Sequence, residues 1–230
     1  SYAEVVKLPA DRAVLVPDDI AADVAAATMV QGTTAHYLAV DTFPLGRGDR
    51  CLIHSAAGGV GRLLVQIAKM IGAEVFATVG SDAKIAIAKS AGADHVINYN
   101  THDFVEAIRN LAGPRPLSVV YDGVGADTFE GSLKCLAPFG VLASFGAASG
   151  APPELTIAVL AKKSLYVTRP GLGPHTATPQ LTEEIAAPLF DAIRNGLSIS
   201  INQTYALKAA ADAHRDLQSR KTTGSAILEI

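Results

Sequence analysis

Between residues 50 and 168, short apolar runs rich in β-branched side chains alternate with stretches whose apolar positions recur every three or four residues. Cys51 to Ser55 reads as a strand. Gly59 to Ile71 follows with Val60, Leu63, Leu64, Ile67, Ala68 and Ile71 on one face, the stripe of an amphipathic helix. Glu74 to Val79 predicts the next strand, Asp82 to Ala91 a helix, Asp94 to Asn98 a strand, Thr101 to Leu111 a helix and Leu117 to Tyr121 a strand. A helix over Asp127 to Leu136 and strands over Gly140 to Phe145 and Ser164 to Thr168 complete the series. Strand and helix in this rhythm require right-handed crossovers, and so an α/β fold: a doubly wound parallel sheet of about six strands covered on both faces.

Glycines punctuate the pattern. Gly72, Gly92 and Gly113 each follow a helical stretch, where a left-handed residue ends a helix most easily. The two ends of the chain read differently. Tyr2 to Val6 and Ala13 to Val16 are extended segments, and Ala22 to Val40 is helical with an interruption at Gly32. Residues 181–195 and 207–219 carry amphipathic helical patterns, with a strand over Ser198 to Tyr205 between them and a terminal strand over Ser225 to Ile230.

Composition narrows the classes of function. With 49% hydrophobic and 18% charged residues, the chain suits an α/β enzyme with buried strands. The formal net charge of −3 gives no basic surface for coating nucleic acid. No apolar run of bilayer length and no signal-peptide pattern occur within these residues, so a cytoplasmic location is expected. Cys51 and Cys135 sit in apolar runs without Cys or His at metal-ligand spacing, so they read as reduced core thiols and no metal site is expected.

The chemistry concentrates after the first strand, in Ser55-Ala-Ala-Gly58-Gly59-Val60-Gly61. Against the G-x-G-x-x-G fingerprint, positions 56, 58 and 61 read Ala, Gly and Gly. Gly58 lets the backbone approach a pyrophosphate, Gly61 lets the helix pack on the strand, and the helix start offers free amides. Ala56 replaces the first glycine, which a tight turn tolerates less easily. A glycine string of this kind also occurs in turns without a ligand, but here it opens a regular βαβ series, the context that a Rossmann-type domain requires.

The end of the second strand selects between dinucleotides. An acid there takes the ribose hydroxyls of NAD, whereas this chain has Val79-Gly80-Ser81-Asp82-Ala83-Lys84. Gly80 offers no carboxylate to repel a 2′-phosphate, Ser81 offers a hydroxyl and Lys84 a cation, favouring NADP(H). Two alternatives stay open: Lys84 as a solvated surface lysine, and Asp82 as a displaced ribose ligand instead of the cap of the following helix.

Several strings together resemble the zinc-free NADPH:quinone oxidoreductases (zeta-crystallin-like) of the medium-chain dehydrogenase/reductase superfamily. They are Gln31-Gly-Thr-Thr-Ala-His-Tyr37, His54-Ser-Ala-Ala-Gly-Gly-Val-Gly61, Gly80-Ser-Asp-Ala-Lys84 and Gly92-Ala-Asp-His-Val-Ile-Asn-Tyr99. Val119-Val-Tyr-Asp-Gly-Val-Gly125, Ser144-Phe-Gly146, Ser164-Leu-Tyr-Val-Thr-Arg-Pro170 and Ser219-Arg-Lys-Thr-Thr-Gly224 extend the match over nearly the whole chain.

The resemblance implies roles at matching positions. Gly58, Gly59 and Val60 would hold the pyrophosphate, and Gly80, Lys84, Tyr99 and Arg220 would surround the 2′-phosphate. Val124 and Gly125 would line the adenosine side, Phe145 and Gly146 the nicotinamide side, and Thr34 would lie near the nicotinamide amide. The sequence departs from the family at Gly123, where Ser is usual, and at Ala147, where Asn commonly follows Phe-Gly.

The implied activity is hydride transfer from NADPH to a quinone, with α,β-unsaturated carbonyls as the alternative acceptor and a nucleotide-binding module without turnover as a third reading. No nucleophile–base pair appears, and no catalytic residue is assigned. Residues 41–175 would form the NADP(H)-binding domain, and residues 1–40 and 176–230 remnants of a GroES-like catalytic domain whose N-terminal portion is absent. Small-molecule substrates are the expected partners, without nucleic acid or membrane. In the family a strand matching Ser164 to Thr168 pairs across a two-fold axis, which implies a homodimer through residues 164–168.

Overall fold

The computed structural model describes residues 2–113, 116–219 and 221–230. The elements in chain order are α1 (Ala22–Tyr37), β1 (Arg50–Ile53), α2 (Gly59–Ile71), β2 (Glu74–Val79), α3 (Ile85–Ser90), β3 (His95–Asn98), α4 (Phe104–Ala112) and β4 (Leu117–Asp122). They continue with α5 (Phe129–Cys135), β5 (Leu136–Ser144), β6 (Tyr166–Thr168), α6 (Leu172–His175), α7 (Pro179–Arg194), β7 (Ile201–Ala206), α8 (Ala210–Gln218) and β8 (Ser225–Glu229).

Strands β1 to β6 form one parallel sheet in the order β3-β2-β1-β4-β5-β6, the order of a dinucleotide-binding Rossmann fold. All four residues of β1 are buried, as a central strand covered on both faces demands. Its alternating side chains divide between two cores. Cys51 and Ile53 face a cluster with Leu64, Ile67, Tyr37 and Leu189, while Leu52 faces Phe76, Phe104, Ile108, Phe129 and Leu133. Each of these side chains contributes about 2 kcal/mol of burial.

The helix over Gly59–Ile71 and the strand over Glu74–Val79 have the ends their sequence signals predict. Gly72 closes α2 at φ 98° and ψ 25°, the left-handed geometry that a Cβ disfavours. Gly92 and Gly113 also take positive φ.

Several expectations are corrected. Gly32 does not interrupt its helix: α1 runs through it, and a Cβ there would stand 2.6 Å from Leu189 Cδ1, so the glycine is a contact point for α7. The helix expected over Asp82 to Ala91 is a 3₁₀ turn, Asp82–Lys84, followed by α3. The fifth strand starts at Leu136, because Leu117 already pairs there before a register shift. The N-terminal segments join no ladder among the described residues, and Val5 and Leu15 are exposed. Tyr2 Oη is 2.7 Å from His214 Nε2 and ties that segment to α8.

Strands β7 and β8 pair in parallel as a second, two-stranded sheet. Its connection to the main body lies at the site: Gly224 bridges Gly58, and the hydroxyl of Ser225 lies 2.7 Å from Gln31 Oε1 and 2.9 Å from the Ala27 carbonyl of α1. Strand β6 has one neighbour, β5, and forms the edge of the sheet with Tyr166 exposed.

Candidate functional site

A cleft of about 540 Å³ opens beyond the carboxyl ends of the parallel strands. Open α/β sheets bind ligands there because the strand order reverses and neighbouring loops part. Its wall comprises Ser55, Ala57 and Gly58 after β1, Val79 to Ser81 and Lys84 after β2, Tyr99 and Asn100 after β3, Val124 after β4 and Ala148 after β5. Leu217 and Thr222 reach it from the C-terminal segment. Another cavity, of about 530 Å³, lies against Arg109, Phe129 and Leu133 and holds none of the candidate residues.

The loop after β1 is tight for a physical reason. Ser55 takes φ 55°, so the left-handed residue stands one position before Ala56, which is buried and whose amide donates to the Thr78 carbonyl at 3.0 Å. This displacement is how the loop does without the first fingerprint glycine. At Gly61 a Cβ would lie 2.3 Å from the Ser55 carbonyl oxygen and 2.9 Å from Ala56 Cα, so only glycine seats α2 this closely. Gly58 caps α2 without a side-chain hydrogen bond. Gly59 and Val60 are half-buried and lie outside the cleft wall, with the Gln31 amide packed directly over Gly59.

At the far end of the cleft, a Cβ on Gly80 would stand 3.2 Å from Tyr99 Oη. Asn100 Nδ2 donates to the Gly80 carbonyl at 2.7 Å. Ser81 and Lys84 face the same space. The capping role expected of Asp82 is not realised: the turn has no side-chain cap, and Asp82 Oδ1 accepts instead from Asn98 Nδ2 at 2.7 Å. A buried amide donor is a better partner for a carboxylate than the exposed amides of a 3₁₀ turn. Arg220 lies outside the described residues.

The remaining candidates lie apart from this wall. Thr34 donates to the Val30 carbonyl at 2.6 Å within α1. Gly125, Phe145 and Gly146 belong to the loops after β4 and β5, next to Val124 and Ala148. These loops touch through glycine: a Cβ on Gly146 would be 2.4 Å from the Gly123 carbonyl, and one on Gly123 would be 2.9 Å from Phe145 Cζ. The second contact accounts for glycine at 123, since a serine would meet the phenyl ring. Arg169 Nη1 donates to the Gly146 and Ser144 carbonyls at 2.9 and 3.1 Å and fixes the same loop.

Behind the wall runs a buried polar chain that the sequence did not signal. Asp122 Oδ1 accepts from the amides of Val124 and Gly125 at 2.9 and 3.0 Å, and the hydroxyls of Thr128 and Ser132 donate to Oδ2 at 2.8 and 3.0 Å. Ser132 Oγ is 3.0 Å from His54 Nε2, and His54 Nδ1 is 2.7 Å from Thr78 Oγ1. Because the other Ser132 partners only accept, its oxygen receives His54 Nε2–H, and Nδ1 accepts from Thr78. Burial holds the His54 pKa down to about 4 against the opposing pull of the Asp122 charge, so the ring is neutral.

A dinucleotide fits this cleft. Its volume is that of a small-molecule site. Its wall places a hydroxyl, an ammonium and an amide at one end, a side-chain-free helix start at the other, and no carboxylate among its described residues. The fold and cleft thus define the cofactor domain of a dehydrogenase or reductase.

A family model described as "Zinc-binding dehydrogenase" matches residues 59–187. A quinone oxidoreductase of Pseudomonas aeruginosa is 42% identical over 230 residues, spanning 99% of this chain and 71% of that protein. The crystal structure of Escherichia coli quinone oxidoreductase complexed with NADPH superposes with a TM-score of 0.94 at 40% identity, covering 100% of this chain and 72% of that one. A 2-haloacrylate reductase of Burkholderia is 38% identical, over 99% of this chain and 70% of its own length. The chain belongs to the NADPH:quinone oxidoreductase family of the medium-chain dehydrogenase/reductase superfamily, a family of NADP(H)-dependent oxidoreductases. Among the described residues no group of three or more His, Cys, Asp or Glu side chains is placed to hold a metal ion. None of the helices there is long and apolar enough to cross a membrane.

Proposed function

We propose that the chain binds NADP(H) in the cleft beyond β1 and β2 and transfers hydride to quinones. The observation that carries this reading is the end of β2, where Gly80, Ser81 and Lys84 line the cleft without a carboxylate in its wall. Lys84 and Ser81 hold the 2′-phosphate, with Tyr99 and Asn100 bounding it. The free amides at the start of α2, reached over Gly58, hold the pyrophosphate. Val124 and Gly125 line the adenosine side, and the loop after β5 carrying Phe145 and Gly146, fixed by Arg169, orients the nicotinamide end. Gly59 and Val60 join Gly58 at the pyrophosphate, and Thr34 lies toward the nicotinamide amide.

Bound NADPH supplies the hydride, and the chain's part is to bind, orient and exclude water. Quinone is the acceptor named for the Pseudomonas and Escherichia relatives. Reduction of an activated alkene is the second reading, favoured by the 2-haloacrylate reductase among the relatives. Residues 41–175 act as the cofactor domain, and residues 1–40 and 176–230 belong to the catalytic domain. The exposed edge strand β6 supports a homodimer, which light scattering at micromolar concentration would test. Free, buried Cys51 and Cys135 suit a reducing cytoplasm.

Steady-state NADPH oxidation with 1,4-benzoquinone, with a trans-2-enone and without acceptor separates these readings. The quinone is expected to give the largest acceptor-dependent rate. A larger enone rate would transfer the assignment to alkene reduction, and no acceptor-dependent rate from a folded sample would leave only nucleotide binding.

A further inference from the structure

Asn98, the last residue of β3, is buried, and it joins the two turns that bound the cleft's far end. Its Nδ2 donates to Asp82 Oδ1 at 2.7 Å, in the turn after β2. Its Oδ1 accepts from the Asn100 amide at 3.1 Å, in the turn after β3. Asn100 returns across the gap, with Nδ2 donating to the Gly80 carbonyl at 2.7 Å, and the Tyr99 amide donates to the Val79 carbonyl at 3.1 Å. The Asn98 side chain therefore ties Asp82 to the turn after β3, alongside the Asn100 bond to Gly80.

Asp82 gives this clamp a chemical meaning. It lies between Ser81 and Lys84, both in the cleft wall, yet its own carboxylate is not part of that wall. An acid in this turn is the group that dehydrogenases use to bind the ribose hydroxyls of NAD and to repel a 2′-phosphate. Rotation of Asp82 away from Asn98 would bring a negative charge toward Lys84 and toward any phosphate beside it. A like charge brought within a few ångströms of a bound anion weakens its binding by about tenfold, even with solvent screening.

We infer that Asn98 is a specificity-determining residue: by anchoring the Asp82 carboxylate outside the cleft, it preserves the preference for the 2′-phosphorylated dinucleotide. The inference rests on the NADP(H) reading of the cleft. It makes Asn98 a positioning residue that acts through Asp82 and the Gly80 turn.

The test is a calorimetric comparison of NADPH and NADH affinities in the wild type, Asn98→Ala, Asp82→Asn and the double variant. The expected result is that Asn98→Ala weakens NADPH about tenfold and NADH by less than twofold, that Asp82→Asn alone changes little, and that the double variant regains the wild-type ratio. If Asn98→Ala does not melt cooperatively by circular dichroism, Asn98→Asp takes its place. It keeps the shape and the acceptor for Asn100 but faces Asp82 with a like charge, so the same selective loss and recovery are expected. A wild type without NADPH preference would overturn the cofactor reading itself. A wild-type preference that survives Asn98 substitution, or a loss that Asp82→Asn does not reverse, would overturn the role of Asn98 and leave the cofactor reading standing.

Discussion

His54 Nε2 lies 3.0 Å from Ser132 Oγ, in a place from which solvent is fully excluded. The contact links the strand that carries the phosphate loop to the helix behind Val124, through side chains 78 positions apart. With its pKa held near 4 by burial, His54 stays neutral in the folded state while the unfolded chain titrates near 6.5. Above pH 6.5 neither state gains a proton. Between 6.5 and about 4 only the unfolded chain does, so stability falls as pH falls, by a total on the order of 3 kcal/mol. Urea unfolding of the wild type and His54→Gln from pH 7.5 to 4.5 checks this. The variant is expected to be less stable at pH 7.5, with a gap that narrows toward pH 4.5. A gap independent of pH would mean that His54 titrates alike in the folded and unfolded chain.

Gly61 and Gly32 both sit in helices and both would crowd a Cβ, but against different matter. At Gly61 the obstacles are backbone atoms of Ser55 and Ala56, whereas at Gly32 they are the terminal methyls of Leu189. Alanine gains about 1 kcal/mol of helix propensity over glycine at either site. Gly32→Ala is therefore expected to be nearly neutral, since a leucine rotamer can yield. Gly61→Ala is expected to cost about 3 kcal/mol and to weaken dinucleotide binding, because the loop itself must move. Thermal melts with and without NADPH would show the contrast; equal costs would place the strain elsewhere.

These positions also show how far the sequence could be read. The helix over Gly59–Ile71 carries its signals within itself, in a regular apolar stripe, a glycine-rich start and Gly72 at its end. Local patterns of this kind gave the sheet, its helices and the cleft residues Gly58, Gly80, Ser81 and Lys84. The chain Thr78–His54–Ser132–Asp122 was not legible, because its members look like isolated polar residues in apolar runs until the fold assembles them. Asp82 was misread as a cap for the same reason: its partner Asn98 stands 16 positions away. Gly32 looked like a helix break, since nothing nearby announces Leu189. Leu217 and Thr222 reach the cleft only through the pairing of β7 with β8.

Tyr121 is fully buried, and its hydroxyl has no hydrogen-bond partner among the described residues. Burial raises its pKa, so the group remains a protonated phenol with an unmet donor. Leaving such a group unsatisfied costs about 1–3 kcal/mol. Tyr121→Phe is expected to leave stability unchanged or to raise it by about 1 kcal/mol, without affecting NADPH affinity. Denaturant midpoints decide the matter: a loss of more than about 1 kcal/mol would reveal a bound water or other partner at that oxygen.

Lys84 provides the test of charge at the end of the cleft. A cation placed against a phosphate contributes to affinity for the phosphorylated ligand and little for its unphosphorylated counterpart. Lys84→Ala is therefore expected to raise the Kd for NADPH about tenfold, equivalent to ~1.4 kcal/mol, and to leave NADH within about twofold. Since the site opens to solvent, salt should screen the wild-type interaction, so NADPH affinity should fall more steeply with ionic strength in the wild type than in the variant. Titrations at two salt concentrations measure both effects. An equal loss for NADPH and NADH would mean that Lys84 supports the turn after β2 and not the 2′-phosphate. A selective loss without a change in salt dependence would assign the preference to shape, set by Gly80 and Tyr99, and not to charge.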